Sequence, residues 1–437
     1  MNARVAIPRF LRGRYRWWIG GLLFFSTVIN YLDRQTLNVL GPTLKTEFHW
    51  SNADFALIII AFRVAYTVMQ TVGGRILDRL GTRNGLTLTV LWYSAVACLT
   101  SLASGLRSFC AFRFLLGAGE ASNWPGATKA VSEWFPRRQR GLAVALFDSG
   151  SSVGAALAPA LLVLLMARFG GWRPAFVIVG VLGFLWVALW RRNYHPPETH
   201  PRITEDERAE ILADHAAEHA EAATEEGSPP PRWRELLCLR QTWGAIAAKG
   251  LTDPVWFMIA DWFAIYLASK GYTFEETAAG YWVPFVGSGL GNLLGGAFSG
   301  WLIRRGWSVG RARRLVISGG AIGVLALVPA AFASSFPVLL ACFFVATCSY
   351  AAMSTMANSL PADLFQSRTV ASVAGLAGTA AGLGTIAATY SIGVIADRFS
   401  FTPIFVVAPL VPFAAALLVL ALVRNTEQSG RGVLKVI

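Results

Sequence analysis

The chain has 437 residues, of which 54% are hydrophobic and only 14% charged, with a mean hydropathy of +0.50. Too few polar side chains remain to cover a water-soluble globule or to keep a disordered chain in solution, so both classes are excluded and the lipid bilayer is the solvent that fits. The excess of 38 Lys and Arg over 25 Asp and Glu would suggest nucleic acid in a soluble protein, but its placement along the chain assigns it otherwise.

Arg4, Arg9, Arg12, Arg14 and Arg16 precede the first apolar run, which contains Asp33 and Arg34 and has no small-residue cleavage site behind it; this reads as a retained membrane span and not a removed signal. A bilayer core of about 30 Å takes roughly 20 apolar helical residues. Such runs fall near 17–40, 55–77, 85–106, 108–129, 142–167 and 173–190, and again near 243–269, 277–302, 314–334, 336–358, 369–396 and 402–423. The predicted fold is an all-α membrane protein of twelve transmembrane helices. Residues 1–194 are its N-terminal six-helix bundle and residues 241–437 its C-terminal one. Residues 195–240 between them are acidic, Ala-rich and bracketed by prolines, which reads as a passive cytoplasmic linker. There Thr204 and Glu207 fit a capping box opening a short amphipathic helix.

Basic residues are retained on the cytoplasmic side of a membrane. With the N-terminus inside, 28 of the 38 fall on cytoplasmic segments, and six (Lys45, Arg107, Arg168, Arg173, Lys270, Arg398) on outer loops. Four (Arg34, Arg63, Arg113, Lys249) fall well inside spans, with Arg75, Lys129 and Arg314 at the run ends counted as cytoplasmic. Both termini are therefore expected in the cytoplasm, and the net charge needs no nucleic acid. The five cysteines lack a CxxC pair, so neither a disulfide framework nor a zinc site is encoded. The histidines lie outside the apolar runs; His215 and His219 share a helical face, read as solvated. No metal or cofactor is expected.

The halves echo each other. GGRILDRLGTR (73–83) is answered by SGWLIRRG (299–306), and ARFGGWRPAF (167–176) by DRFSFTPIF (397–405). Spans 5 and 11 are both rich in small residues, which let helix backbones approach closely. Duplicated halves around a central site characterise alternating-access carriers.

Gly74, Asp78, Arg79, Gly81 and Arg83 after span 2, Arg113 and Gly117 in span 4, Pro136, Arg140 and Gly141 in the next loop, and the turn Gly171-Trp172-Arg173 together resemble the major facilitator superfamily. The resemblance implies a conformational latch formed by Asp78, Arg79, Arg83 and Arg140; in the second half Arg304 stands in the place of Asp78. Within the superfamily, NYLDRQTL (30–37), AYTVMQ (65–70), RFLLGAGEA (113–121), EWFP (133–136), SSVGAALAP (151–159) and DPVWFMIADW (253–262) are similar to the anion:cation symporter branch, and in it to bacterial hexuronate and aldonate transporters. This implies a monomeric proton-coupled symporter in a bacterial inner membrane. It would import a hexuronate or related sugar acid by alternating access, with H+ as coupling ion. Carriage of an aromatic acid or another organic anion is the alternative. An enzyme or a sensor is disfavoured, for the sequence offers no nucleophile–base pair, phosphate loop or signalling domain.

An ionisable side chain inside a span is costly and hence a functional candidate. The acids are Asp33, Glu120, Asp148 and Asp261. Arg113, Gly117, Glu120 and Trp124 share one helix face, with about 10.5 Å of rise between Arg113 and Glu120, while Asp33 and Arg34 point about 100° apart. Arginine stays protonated and its planar fork matches a carboxylate, which makes Arg34 and Arg113 the anion anchors. Carboxylic acids can be neutral in a low-dielectric cavity, which makes Asp33 and Glu120 the proton carriers. The resemblance assigns the same roles and adds Tyr66 as a substrate hydrogen-bonder. It also adds Asp148 and Ser151 at positions that contact hydroxyls. Trp256 and Trp262 can wall a sugar face, or anchor the helix. The structural alternative for Arg113 is a pair with Asp33 or Glu120, and for Ser151 close helix packing. Lys249 and Asp253, one turn apart, form a local ion pair. Arg63 is either a third anion contact, favouring a dicarboxylate, or the partner of Asp33 or Asp148.

Overall fold

The computed structural model describes residues 15–224, 233–365 and 367–423. Every regular element in it is a helix. The first six are α1 (Tyr15–Phe48), α2 (Asn52–Thr100), α3 (Leu106–Glu120), α4 (Asn123–Trp134), α5 (Arg137–Phe169) and α6 (Arg173–Asn193). The central segment supplies α7 (Glu205–Thr224) and α8 (Trp233–Leu237). The remainder are α9 (Arg240–Gly250), α10 (Asp253–Ser269), α11 (Phe274–Tyr281), α12 (Val283–Arg304), α13 (Val309–Val324), α14 (Leu327–Phe332), α15 (Phe336–Leu364), α16 (Ser367–Arg398), α17 (Thr402–Val407) and α18 (Leu410–Leu422). Among the described residues, seven helical stretches are long and apolar enough to cross a membrane.

Local chemistry explains the joints. The second and third apolar runs, together α2, are two helices that meet at Gly81, whose non-helical backbone (φ 73°, ψ 160°) favours glycine. α5 ends at Gly170, whose φ of 71° makes it a left-handed C-cap. The fourth run is interrupted at Ala121 and Ser122, and the seventh at Leu251 and Thr252.

The chain divides into two compact units. The first holds the described parts of Met1–Arg34, Val64–Ala155 and Leu165–Pro229; the second holds those of Gln35–Arg63, Ala156–Leu164 and Pro230–Ile437. In the first unit, α5 packs backbone to backbone on α1: a Cβ at Gly150 would lie 2.5 Å from the Phe24 carbonyl oxygen, and one at Gly154 2.4 Å from that of Val28. The small residues of this span serve the close approach anticipated for them.

The part of the central segment up to α7 folds onto this unit. Glu207 on α7 accepts from the backbone N–H groups of Tyr15 (2.8 Å) and Arg16 (3.1 Å), and the Arg16 guanidinium reaches Glu207 (3.2 Å) and Glu210 (2.5 Å). A carboxylate thereby supplies α1 with the N-terminal acceptor that its own first turn lacks. The anticipated capping box is half formed: Glu207 N donates to Thr204 Oγ1 at 3.4 Å, while its carboxylate serves α1. His200 is buried against the rings of Tyr15 (4.3 Å) and Trp134 (5.2 Å), accepts from Arg202 N at Nδ1, and sets Nε2 3.0 Å from the Asn193 carbonyl oxygen. Burial pushes its imidazole down to about 4; His195, Arg202 and Arg208 push the same way, against the Asn193 carbonyl. His215 sets Nε2 3.1 Å from the Ser132 carbonyl oxygen, so it docks α7 instead of facing solvent; the side chain of His219 lies outside the described residues. The segment read as a passive linker is a clasp on the first unit.

In the second unit α12 lies against α15 along Gly287, Gly291 and Gly295. A Cβ at Gly291 would stand 2.0 Å from the Cys348 carbonyl oxygen, and one at Gly295 2.7 Å from the Ala352 Cα. Ile317, Met353, Leu364 and Ala415 belong to the apolar core shared by α13, α15 and α18. Residues 35–63 belong here as well. The carboxylate of Asp397, at the end of α16, accepts from the backbone N–H of Asn52 and Ala53 and from the Asn52 amide, each at 2.8 Å, and so caps α2.

Candidate functional site

In the first unit, α1 and α3 bring a charged cluster into the interior. Arg34 Nε donates to Glu120 Oε2 at 2.5 Å, and the guanidinium lies over the rings of Tyr66 (4.6 Å) and Tyr31 (5.1 Å). The charge is held by a carboxylate and two aromatic faces together. Glu120 is the last residue of α3, fully buried, and its Oε1 has no hydrogen-bond partner among the described residues. Arg113, two turns earlier, is buried and donates to the Arg34 carbonyl oxygen at 3.3 Å. Asp33 is 2% exposed, and neither of its carboxylate oxygens has a hydrogen-bond partner among the described residues. Buried carboxylates are ordinarily paired. Tyr31 was not singled out from the sequence, although its place three residues before Arg34 puts both on one helix face.

On α5, Ser151 Oγ donates to the Asp148 carbonyl oxygen at 2.6 Å, so its hydroxyl is satisfied by its own helix, and the Asp148 side chain is exposed. Gly150 and Gly154, on the same helix, make a close contact with α1. The latch residues are only partly described: the side chains of Asp78 and Arg140 lie outside the described residues, and Arg79 is exposed. Arg83 donates to the Arg191 carbonyl oxygen at 2.5 Å, and Trp190 Nε1 to that of Arg83 at 3.1 Å, fastening the Gly81 bend to the end of α6.

In the second unit Arg63 is paired with the carboxylate of Asp261 on α10, and its guanidinium lies 3.9 Å from the centre of the Phe257 ring. Asp261, in place of the Asp33 or Asp148 suggested by the sequence, is the acid that holds it. Asp261 Oδ1 also accepts from Asn38 Nδ2 at 3.3 Å, and Gln35 Oε1 accepts from Asn38 (3.1 Å) and Tyr281 (2.8 Å). Trp262 is fully buried with its ring against Phe55 and Phe401; it packs the core and offers a solute no surface. Trp256 is half-buried and stacks on Tyr350, with centroids 5.8 Å apart and planes within 9°. Lys249 and Asp253 form the expected ion pair at 3.7 Å. Among the described residues no group of three His, Cys, Asp or Glu side chains is placed to hold a metal ion.

Comparison with known proteins agrees with this architecture. The sequence profile of the Major Facilitator Superfamily matches residues 23–389 and again 287–435. The chain is 32% identical over 422 residues to the hexuronate transporter of Escherichia coli (strain K12), covering 94% of each. It is 33% identical over 311 residues to the galacturonate transporter of Dickeya chrysanthemi, covering 70% of this chain and 88% of that one. In three dimensions it is similar, with a TM-score of 0.68 at 19% identity, to a bacterial homologue of the human lysosomal transporter Spinster solved in an inward-facing, unoccupied conformation, over 94% of this chain and 95% of that one. Buried charge on long apolar helices, the profile match across most of the length and the shared fold lead to one conclusion: the chain belongs to the Major Facilitator Superfamily and is a multi-pass inner-membrane transporter, not an enzyme.

Proposed function

We propose that this transporter imports a hexuronate or a related sugar acid together with protons, by alternating access, as a monomer of twelve spans with both termini in the cytoplasm and no cofactor beyond the coupling proton. The names of its relatives support the substrate class, and the distribution of Lys and Arg supports the orientation. The observation that carries the reading is the 2.5 Å contact between Arg34 and Glu120. A carboxylate of the protein sits where an anionic substrate would dock, so the two compete for one guanidinium. In the proposed cycle Asp33 and Glu120 take protons from outside. Arg34 and Arg113 then receive the substrate carboxylate, with Tyr66 beside it and Asp148, Ser151 and Trp256 serving the rest of the molecule. Proton loss at the higher cytoplasmic pH returns Glu120 to Arg34 and expels the substrate. Among the described residues no hydrogen-bond donor competes with a proton for the oxygens of Asp33.

The test is uptake of radiolabelled glucuronate into proteoliposomes under an inward proton gradient, challenged with unlabelled galacturonate, galactonate, glucarate and an aromatic acid. Proton-dependent uptake blocked mainly by uronates is expected. Strongest block by the aromatic acid, or uptake indifferent to the gradient, overturns the assignment.

A further inference from the structure

The Lys249–Asp253 ion pair is part of a larger constellation in the second unit. Lys249 Nζ also donates to Asn358 Oδ1 at 2.7 Å, and the Tyr350 hydroxyl donates to Asp253 Oδ1 at 3.1 Å. Tyr350 in turn carries the stacked indole of Trp256. Beside them Thr355 donates to Asn292 Oδ1 at 2.7 Å. Tyr350, Thr355 and Asn358 all lie within Phe336–Pro361, one of the stretches apolar enough to cross a membrane. Lys249 and Asp253 flank the break between α9 and α10. Irregular backbone at membrane depth occurs where protein buries it or where it lines a water-filled cavity.

Exposure decides between these. Asn292 and Asn358 are exposed, and 30% of the Lys249 side chain is accessible. Side chains exposed on a membrane-spanning helix meet either lipid or water. Leu293 and Leu294 on α12 are 71% and 58% exposed, as a lipid-facing surface requires. An ion pair flanked by exposed amides does not belong on that surface, because ionisable groups within spans face the bundle interior or a water-filled cavity even when they are paired. This polar face therefore borders an aqueous cavity.

Its charge identifies the class of ligand. The cluster holds one ammonium, Lys249, and one carboxylate, Asp253, and so carries no net formal charge. It offers alternating donors and acceptors beside an indole, the combination that suits neighbouring hydroxyl groups and the C–H face of a sugar. We propose that Lys249, Asp253, Tyr350 and Asn358, backed by Trp256, form the subsite that recognises the hydroxyl groups of the substrate and separates polyhydroxy acids from aromatic and aliphatic ones. The proposal rests on the sugar-acid reading above.

Two measurements test it in the full-length protein. In the first, a charged, membrane-impermeant thiol reagent is applied to the Asn358→Cys and Leu294→Cys variants. Labelling above that of the unsubstituted chain is expected at position 358 and not at 294, and polyhydroxy acids should slow it. No labelling at 358, or labelling that no polyhydroxy acid slows, overturns the subsite. In the second, glucuronate and its monodeoxy analogues compete with labelled glucuronate for uptake. The unsubstituted protein should bind at least one analogue about tenfold more weakly than glucuronate, the size of one net hydrogen bond. Asn358→Ala or Tyr350→Phe should lose about tenfold for glucuronate and nothing for that analogue. Undiminished discrimination, or an equal loss for every analogue as packing damage would give, overturns the proposal. If glucuronate is not carried at all but another polyhydroxy acid protects position 358, the hexuronate assignment fails and the subsite stands.

Discussion

Arg34 and Arg63 are built alike, each with its guanidinium beside an aromatic ring and in the grip of a protein carboxylate. They differ in what surrounds the carboxylate. Asp261 has a further donor in Asn38, whereas Glu120 keeps one oxygen without a hydrogen bond among the described residues and stands close in sequence to Arg113 on the same face. In the proposed cycle Glu120 is therefore the acid whose protonation would release the guanidinium of Arg34. Glu120→Gln is expected to keep substrate exchange between equal pools while losing proton-driven accumulation; retained accumulation would remove Glu120 from coupling. That Arg34 and Arg113 lie among buried charged groups was legible in the sequence, because an arginine in an apolar run has few innocent explanations. The partner of Arg63 was not legible, since Asp261 lies on a helix nearly two hundred residues away and pairing across such a distance leaves no local spacing to read. The core packing of Trp262 was not legible for a related reason: a tryptophan in a span looks the same whether it walls a cavity or fills a core.

At the scale of elements, hydropathy located the helices but not their joints, because an apolar run continues unchanged through a bend or a break. The α2 bend rests on Gly81, where no neighbour lies near a would-be Cβ and only the backbone conformation opposes a side chain. Gly81→Ala is expected to cost about 1–3 kcal/mol, read as a lower midpoint of thermal unfolding in detergent. The central clasp carries its own pH dependence. An ordinary histidine titrates near 6.5 and docked His200 at about 4, so the undocked segment binds a proton that the docked one excludes. Docking is therefore fully supported above pH 6.5 and weakens as the pH falls from 6.5 toward 4. Amide hydrogen exchange over residues 205–215, corrected for intrinsic rates, should quicken across that window, and His200→Gln should flatten the profile. The sequence concealed this clasp because its contacts are made by scattered residues, Tyr15, Trp134, Asn193 and Glu207, that share no local pattern.

Across the whole molecule, the repeat that was visible in the sequence is used asymmetrically. DRFSFTPIF echoes ARFGGWRPAF, yet Asp397 stands where the earlier copy has Ala167, and it caps α2. That bond joins a segment from the first half of the chain to α16 in the second. Alternating access would require such a contact to open once per cycle. Cysteines placed at positions 52 and 397 are expected to halt uptake when oxidised and to restore it on reduction, and uptake that survives the crosslink would mean that this contact stays closed throughout transport. The apposition of α12 and α15 has a different consequence, for biogenesis. Glycines at 287, 291 and 295 remove the side chains that would carry α12 into lipid by themselves, and α12 is not among the seven stretches apolar enough to cross unaided. A partner synthesised some thirty residues later then completes its packing, so a ribosome stalled before α15 emerges would leave α12 without the surface that its glycines are shaped to meet.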